Sequence, residues 1–233
     1  MELLVGIADS KPGYFERDQE RIRTALGTNS TKTARILDGP MACALQHGAG
    51  IKTPDTGKQK DKYSRTIKIV LTATSIDELL DGNVTLPLSN RGWKVCLNNI
   101  AQDLEKGKSS YSGMLNEAKS EKLYFDDPQR WAIMMCLRPD VTLTDTQAAR
   151  MQTALDAVYQ YQQTVWCMSL NGSFKPEKHQ NDWIDMNQLF HLADPAMRFL
   201  TADERIKQRC AKSDQARRIL ILNDFLANNC LAL

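Results

Sequence analysis

The sequence predicts an α/β fold, with a mainly parallel central sheet between helices and a helical insertion at about residues 83–170. Three observations carry that expectation. Short apolar runs that lead into an acid, "ELLVGIAD", "ARILD" and "MRFLTAD", have the length and composition of buried strands. "TIKIVLTAT" is rich in β-branched residues, which suit a pleated strand. Helical patterns alternate with these runs at both ends of the chain, as in a sheet built from strand–helix–strand units.

Taken in order, "ELLVGIAD" is an apolar strand, and "FERDQERIRTAL" an amphipathic helix with Phe15, Ile22 and Leu26 on one face and Gly27 as its stop. In "TARILDGPMACALQHGAG" the Asp38-Gly39-Pro40 turn separates a strand from a short helix, because proline inside a helix removes a donor and clashes with the preceding turn. Residues 52–65, "KTPDTGKQKDKYSR", are polar and aperiodic, which predicts an exposed loop. "TIKIVLTAT" follows as the clearest strand, then "SIDELLDG" as a short helix opened by Ser75 and closed near Gly82.

Residues 90–166 are mostly helical in pattern. "WKVCLNNIAQDLEKG" has apolar residues at helical spacing, Asp127-Pro128 is a good helix start, and "TDTQAARMQTALDAVYQYQQTVWCMSL" reads as one long amphipathic helix. The last third alternates again: helix "WIDMNQLFHLA", strand "MRFLTA", helix "DERIKQRCA", then "ARRILILNDFL".

The chain has 233 residues, 42% of them hydrophobic and 25% charged, enough for one domain with a real core. A net charge of +2 leaves any basic footprint to local patches. The six cysteines have no CxxC spacing, which argues for buried free thiols in a reducing cytoplasm rather than a zinc knuckle. No signal peptide and no apolar run of membrane-spanning length is visible, so the expectation is a cytoplasmic protein with no membrane partner.

Four acids fall at strand ends or in the first turn of the following helix: Asp38, Glu78, Asp185 and Asp203. Ligands of open parallel sheets gather at the carboxyl ends of strands. Converging carboxylates repel unless a cation neutralises them, and hard divalent ions prefer oxygen ligands. Two such ions about 4 Å apart activate water and stabilise the leaving oxygen of a phosphodiester. The plainer reading is capping. Ser75-Ile-Asp-Glu78 and Thr201-Ala-Asp-Glu204 both have the S/T-x-x-E form, and Asp182 and Asp185 complement a helix dipole.

The order of these acids, with "IVLTATSIDELL", "ARILDGPMACAL" and above all "DMNQLFHLADPAMRFLTAD", resembles the PIN-domain nucleases. That resemblance implies a single PIN-like α/β/α sandwich over residues 1–233 and Mg2+- or Mn2+-dependent cleavage of RNA, with DNA left open as a substrate. It implies Asp38, Glu78, Asp185 and Asp203 as catalytic metal ligands, Asp182 as a further ligand or supporting acid, and Thr201 orienting Asp203. Asp9-Ser10 competes with Asp38-Gly39 for the first position, and the 40-residue separation from Glu78 favours Asp38.

The segment after Asp203 carries Arg205, Lys207, Arg209, Arg217 and Arg218, candidates for a nucleic-acid backbone or else a solvated helix face. His47, His179 and His191 read as surface or core imidazoles. The alternative function is a catalytically inactive nucleic-acid- or protein-binding module, with the helical insertion as its surface for a protein partner or homo-oligomer.

Overall fold

The computed structural model describes residues 12–26, 39–52, 57–80, 85–86, 91–121, 133, 141–171 and 173–229. In chain order the elements begin with α1 (Phe15–Leu26), α2 (Pro40–Cys43), a π-helical turn (Ala44–Ala49), α3 (Gly57–Thr72) and α4 (Ile76–Leu80). The strands β1 (Thr85–Leu86) and β2 (Arg91–Gly92) lead into the long α5 (Trp93–Glu121). Then come α6 (Asp145–Ala154), α7 (Asp156–Ser169), α8 (Asp182–Leu189), β3 (Phe199–Thr201), α9 (Glu204–Arg209), β4 (Ile219–Ile221) and α10 (Leu222–Asn229).

The expected α/β/α sandwich, PIN-like or otherwise, is not the fold. Helix makes up 75% of the structure and strand 4%, and among the described residues parallel pairing is confined to two strands. β3 and β4 lie parallel with Leu200 opposite Leu220, and β1 and β2 form a separate antiparallel pair. The protein is mainly helical, with one small parallel β3–α9–β4 unit near its end. The proposed strands "ELLVGIAD" and "ARIL" lie outside the described residues, as do Asp9 and Asp38.

"TIKIVLTAT" accounts for much of the difference. Residues 66–72 of this run belong to α3, and so does most of the polar stretch before it. Thr66, Val70 and Ala73 are buried at the i, i+4, i+7 spacing of one helical face. Gln19 of α1 donates from Nε2 to the carbonyls of Val70 and Ala73 at 2.7 and 2.9 Å, and Arg23 donates to that of Leu71 at 3.0 Å. These are carbonyls that a helix end leaves unpaired. β-branched residues favour a strand only where a pleated surface awaits them; here α1 supplies a helical partner instead.

The chain divides into two compact units, Met1–Asp38 with Asp55–Lys106, and Gly39–Pro54 with Gly107–Leu233. In the first, Phe15 and Ile22 of α1 are buried, as the sequence pattern predicts, together with Val70, Ile76 and Leu79.

The second unit has the larger core, built around α7. Ala157, Val158, Tyr161, Gln162, Val165, Trp166 and Ser169 are buried, a stripe with helical period. The long helix expected over this region is broken at Leu155, which lies at φ −105°, ψ 15°. Gln215 fills the break: its Oε1 accepts from the Ala157 N–H at 2.9 Å and its Nε2 donates to the Ala154 carbonyl at 2.8 Å. One buried side chain thereby satisfies both groups that the interruption orphans. The π-helical turn packs on α6 through Gly48, where an added Cβ would stand 3.4 Å from both Met151 and Ala154. Among the described cysteines Cys43 and Cys210 are buried and Cys167 is exposed, and none of the three is in a disulfide. Among the described residues no helix is long and apolar enough to cross a membrane.

Candidate functional site

Three acids of the last third, Asp182, Asp185 and Asp203, belong to the second unit, where Asp182 and Asp203 act on Asp185 through their charge. Asp182 and Asp185 occupy the first turn of α8, three residues apart and so on neighbouring faces. Asp203 follows β3 as the N-cap of α9, its Oδ1 accepting from the Arg205 N–H at 2.9 Å. Thr201 Oγ1 accepts from the Asp203 N–H at 3.0 Å, which holds the backbone there.

Asp182 is buried and doubly paired. Its Oδ1 meets Arg209 Nη1 at 2.9 Å and its Oδ2 meets His179 Nδ1 at 3.0 Å. Arg209 is equally buried, so the pair is shielded from water. The same Arg209 Nη1 donates to the Tyr161 hydroxyl at 2.6 Å, with the guanidinium 5.0 Å from the centre of that ring. Tyr161 in turn donates to Asp185 Oδ2 at a long 3.4 Å. His179 stacks on Phe174 at 4.3 Å between ring centres. One chain of hydrogen bonds therefore runs His179–Asp182–Arg209–Tyr161–Asp185.

The electrostatics follow from this arrangement. Burial pushes the Asp185 carboxyl above its ordinary value, and the charges of Asp182 and Asp203 push it further. Asp203 goes the other way, held down chiefly by its hydrogen bond from the Arg205 side chain. Burial raises the Tyr161 hydroxyl well beyond the ordinary phenol range, so it stays protonated.

Glu78 belongs to the first unit, and its carboxylate serves a helix start. Its Oε2 accepts from the N–H and hydroxyl of Thr74 at 2.7 and 2.8 Å, while its own N–H donates to Ser75 Oγ at 3.2 Å. The backbone bond from Thr74, and then the side-chain bond, lower its pKa.

The basic residues after Asp203 have separate fates. Arg209 is interior. Arg218 donates to the carbonyls of Leu192, Asp194 and Met197, tying together the turn before β3. Arg205 and Arg217 are exposed and Lys207 is half-buried. Lys207 and Arg217 line a groove of about 540 Å³ with an apolar floor of Ala211, Ala216 and Ile221; Glu204 and Asp224 line it as well.

Sequence reasoning set His179 aside and did not weigh Tyr161 as part of the site. The spacing His179-x-x-Asp182 is a usable signal, since a residue three places before a helix start can turn back onto its first residue; nothing in the sequence marks Tyr161.

Among the described residues no three His, Cys, Asp or Glu side chains stand ready to share a metal ion. Asp185 carries the raised carboxyl of the three acids, through burial first and then the charges of Asp182 and Asp203. At Asp182 and Asp203 the neutralising charges are arginines. No protein-family model matches this chain, and neither a curated protein nor a solved structure is detectably similar to it.

Proposed function

We propose that this chain cleaves RNA phosphodiesters with the help of Mg2+ or Mn2+ at the acids Asp182, Asp185 and Asp203. The observation that carries the reading is the half-buried Asp185, whose carboxyl is raised first by burial and then by the charges of Asp182 and Asp203. The three acids come from two elements, the first turn of α8 and the end of β3. A fold that needed only caps has no reason to gather them.

The cation supplies a lowered pKa for a bound water and neutralises charge on the reacting phosphate. The protein's own residues do the rest. Asp185 and Asp203, both half-buried, would be the carboxylates that hold the ion. Asp182, fixed between His179 and Arg209, adds a negative charge that cannot swing away. Lys207 and Arg217 meet the backbone phosphates of the strand beside the site, a role that weakens with added salt. Arg209 and Arg218 have no part in that contact, because their guanidiniums are committed inside the fold.

The test is cleavage of a single-stranded RNA by the full chain in Mn2+, with DNA and chelated controls. Asp185→Asn should fold and lose about a hundredfold or more of the rate, since water activation and charge neutralisation both depend on the ion. A wild-type protein that cleaves neither RNA nor DNA in Mn2+ removes the catalytic reading. In that case retained RNA binding by Lys207 and Arg217 supports an inactive binding module, which the arginine pairing of Asp182 and Asp203 favours.

A further inference from the structure

The groove beside α9 and α10 carries charges that the fold itself leaves unused. Glu204 and Asp224 line it together with Lys207 and Arg217, around a floor of Ala211, Ala216 and Ile221. Among the described residues none of these four charged side chains makes an ion pair or a side-chain hydrogen bond. Opposite charges that share a groove without pairing are placed to meet charges brought by a partner. We propose that a second copy of this chain docks in the groove, forming a two-fold dimer in which Asp224 of each copy meets Lys207 and Arg217 of the other. The dimer goes beyond the nuclease reading and does not depend on it.

Charge chooses the occupant. The groove holds two acids and two bases, so a polyanion satisfies only its basic half, whereas a surface with both signs satisfies all of it. The chain's own patch is such a surface. A two-fold contact sets one patch against itself, so each acid finds a base on the other copy. The apolar parts match in the same way. Residues 223–227 of α10 are all exposed, Phe225 at 40% and Leu226 at 47%. The small side chains of Ala211 and Ala216 leave a groove of about 540 Å³ for large side chains of the other copy. An apolar floor inside a charged rim is the anatomy of a protein interface. Such a dimer covers Lys207 and Arg217, so RNA phosphates reach them only in the monomer.

The experiment is sedimentation equilibrium of the full chain at concentrations up to about 100 μM, where mass action draws out a specific contact. Wild type should pass from monomer to dimer. Asp224→Lys sets like charges against each other in both symmetric contacts, and so does Lys207→Glu combined with Arg217→Glu. Each should raise the dimer dissociation constant about tenfold or more, with thermal melting in dilute solution unchanged. Mixing the two variants makes both contacts attractive again, so a heterodimer should form with near wild-type affinity.

A wild type that stays monomeric overturns the dimer; loss of RNA binding in the Lys207→Glu, Arg217→Glu protein would then assign the groove to nucleic acid instead. A dimer that survives both reversals overturns the groove as its interface. Two weakened variants that fail to rescue each other overturn the pairing of Asp224 with Lys207 and Arg217.

Discussion

Glu78 and Asp185 hold the same place in their local sequences, an acid in the first turn of a helix that follows a turn, yet their surroundings drive them apart. Glu78 is exposed, and the two bonds from Thr74 stabilise its charged form. Asp185 is half-buried, with the charges of two other carboxylates acting on it against a long bond from Tyr161 and the more weakly felt charge of Arg209. The first acid is spent on starting a helix; the second carries repulsion that the local backbone does not require. An acid that costs its own element something is the better sign of a ligand site.

The largest effect on stability that tests this contrast is at the centre of the second unit. Arg209→Met strips the buried carboxylate of Asp182 of its guanidinium and leaves it His179, so unfolding in urea should show a loss of about 3–5 kcal/mol. The double variant with Asp182→Asn should recover part of that loss, because the uncompensated charge is gone. An Arg209→Met protein as stable as wild type would mean that the network is not the anchor of the site.

Next in size is Gly107 of α5. A Cβ there would come within 2.5 Å of Trp183 Nε1, and Trp183 follows Asp182 directly. Alanine is normally the better helix former, yet overpacking should make Gly107→Ala less stable by about 1–3 kcal/mol in the same assay. A stabilised variant would show that the indole moves freely, and with it the start of α8.

The smallest effects are in pH and have opposite signs. The raised pKa of Asp185 means that the folded state binds its proton more tightly than the unfolded state does. Its contribution is fully present below the unfolded value of about 4 and is lost as pH rises through the folded one. The lowered pKa of Glu78 gives stability above its unfolded value that disappears as pH falls through the folded one. In thermal melts across pH 2–7, Asp185→Asn should therefore gain on wild type toward pH 7. Glu78→Gln should lose there and converge with wild type in acid. Curves that shift in the same direction for both variants would erase the distinction.

Much of the second unit's local structure was legible. The periods of "TDTQAARMQTALDAVYQYQQTVW" and "WIDMNQLFHLA" fall on helices α6, α7 and α8, and "RFLTA" followed by Asp203 is a strand that ends at a helix cap. Short-range chemistry decides these features: apolar spacing, an acid in a first turn, a hydroxyl two residues before an N-cap. Asp182, Asp185 and Asp203 were expected at the mouth of a large sheet; the structure has them instead in the first turn of α8 and at the turn from β3 into α9. The insertion expected as an interaction surface supplies, in α7, the main core helix of its unit.

The sequence by itself determined the starts of helices such as α1, α4 and α8, the faces that carry their apolar side chains and which acids recur near element ends, because these depend on neighbours within about one turn. Only the tertiary structure decided that "TIKIVLTAT" is helical, since Gln19 and Arg23 stand 48–54 residues from the carbonyls they satisfy. It alone decided that Gln215 fills a helix break 58 residues away. It also decided that Arg209 is a buried counter-ion while Arg205, one turn earlier, remains in solvent. The two arginines differ in the surface their helix turns inward, and that surface is made by α7 and α8, which no window along α9 contains.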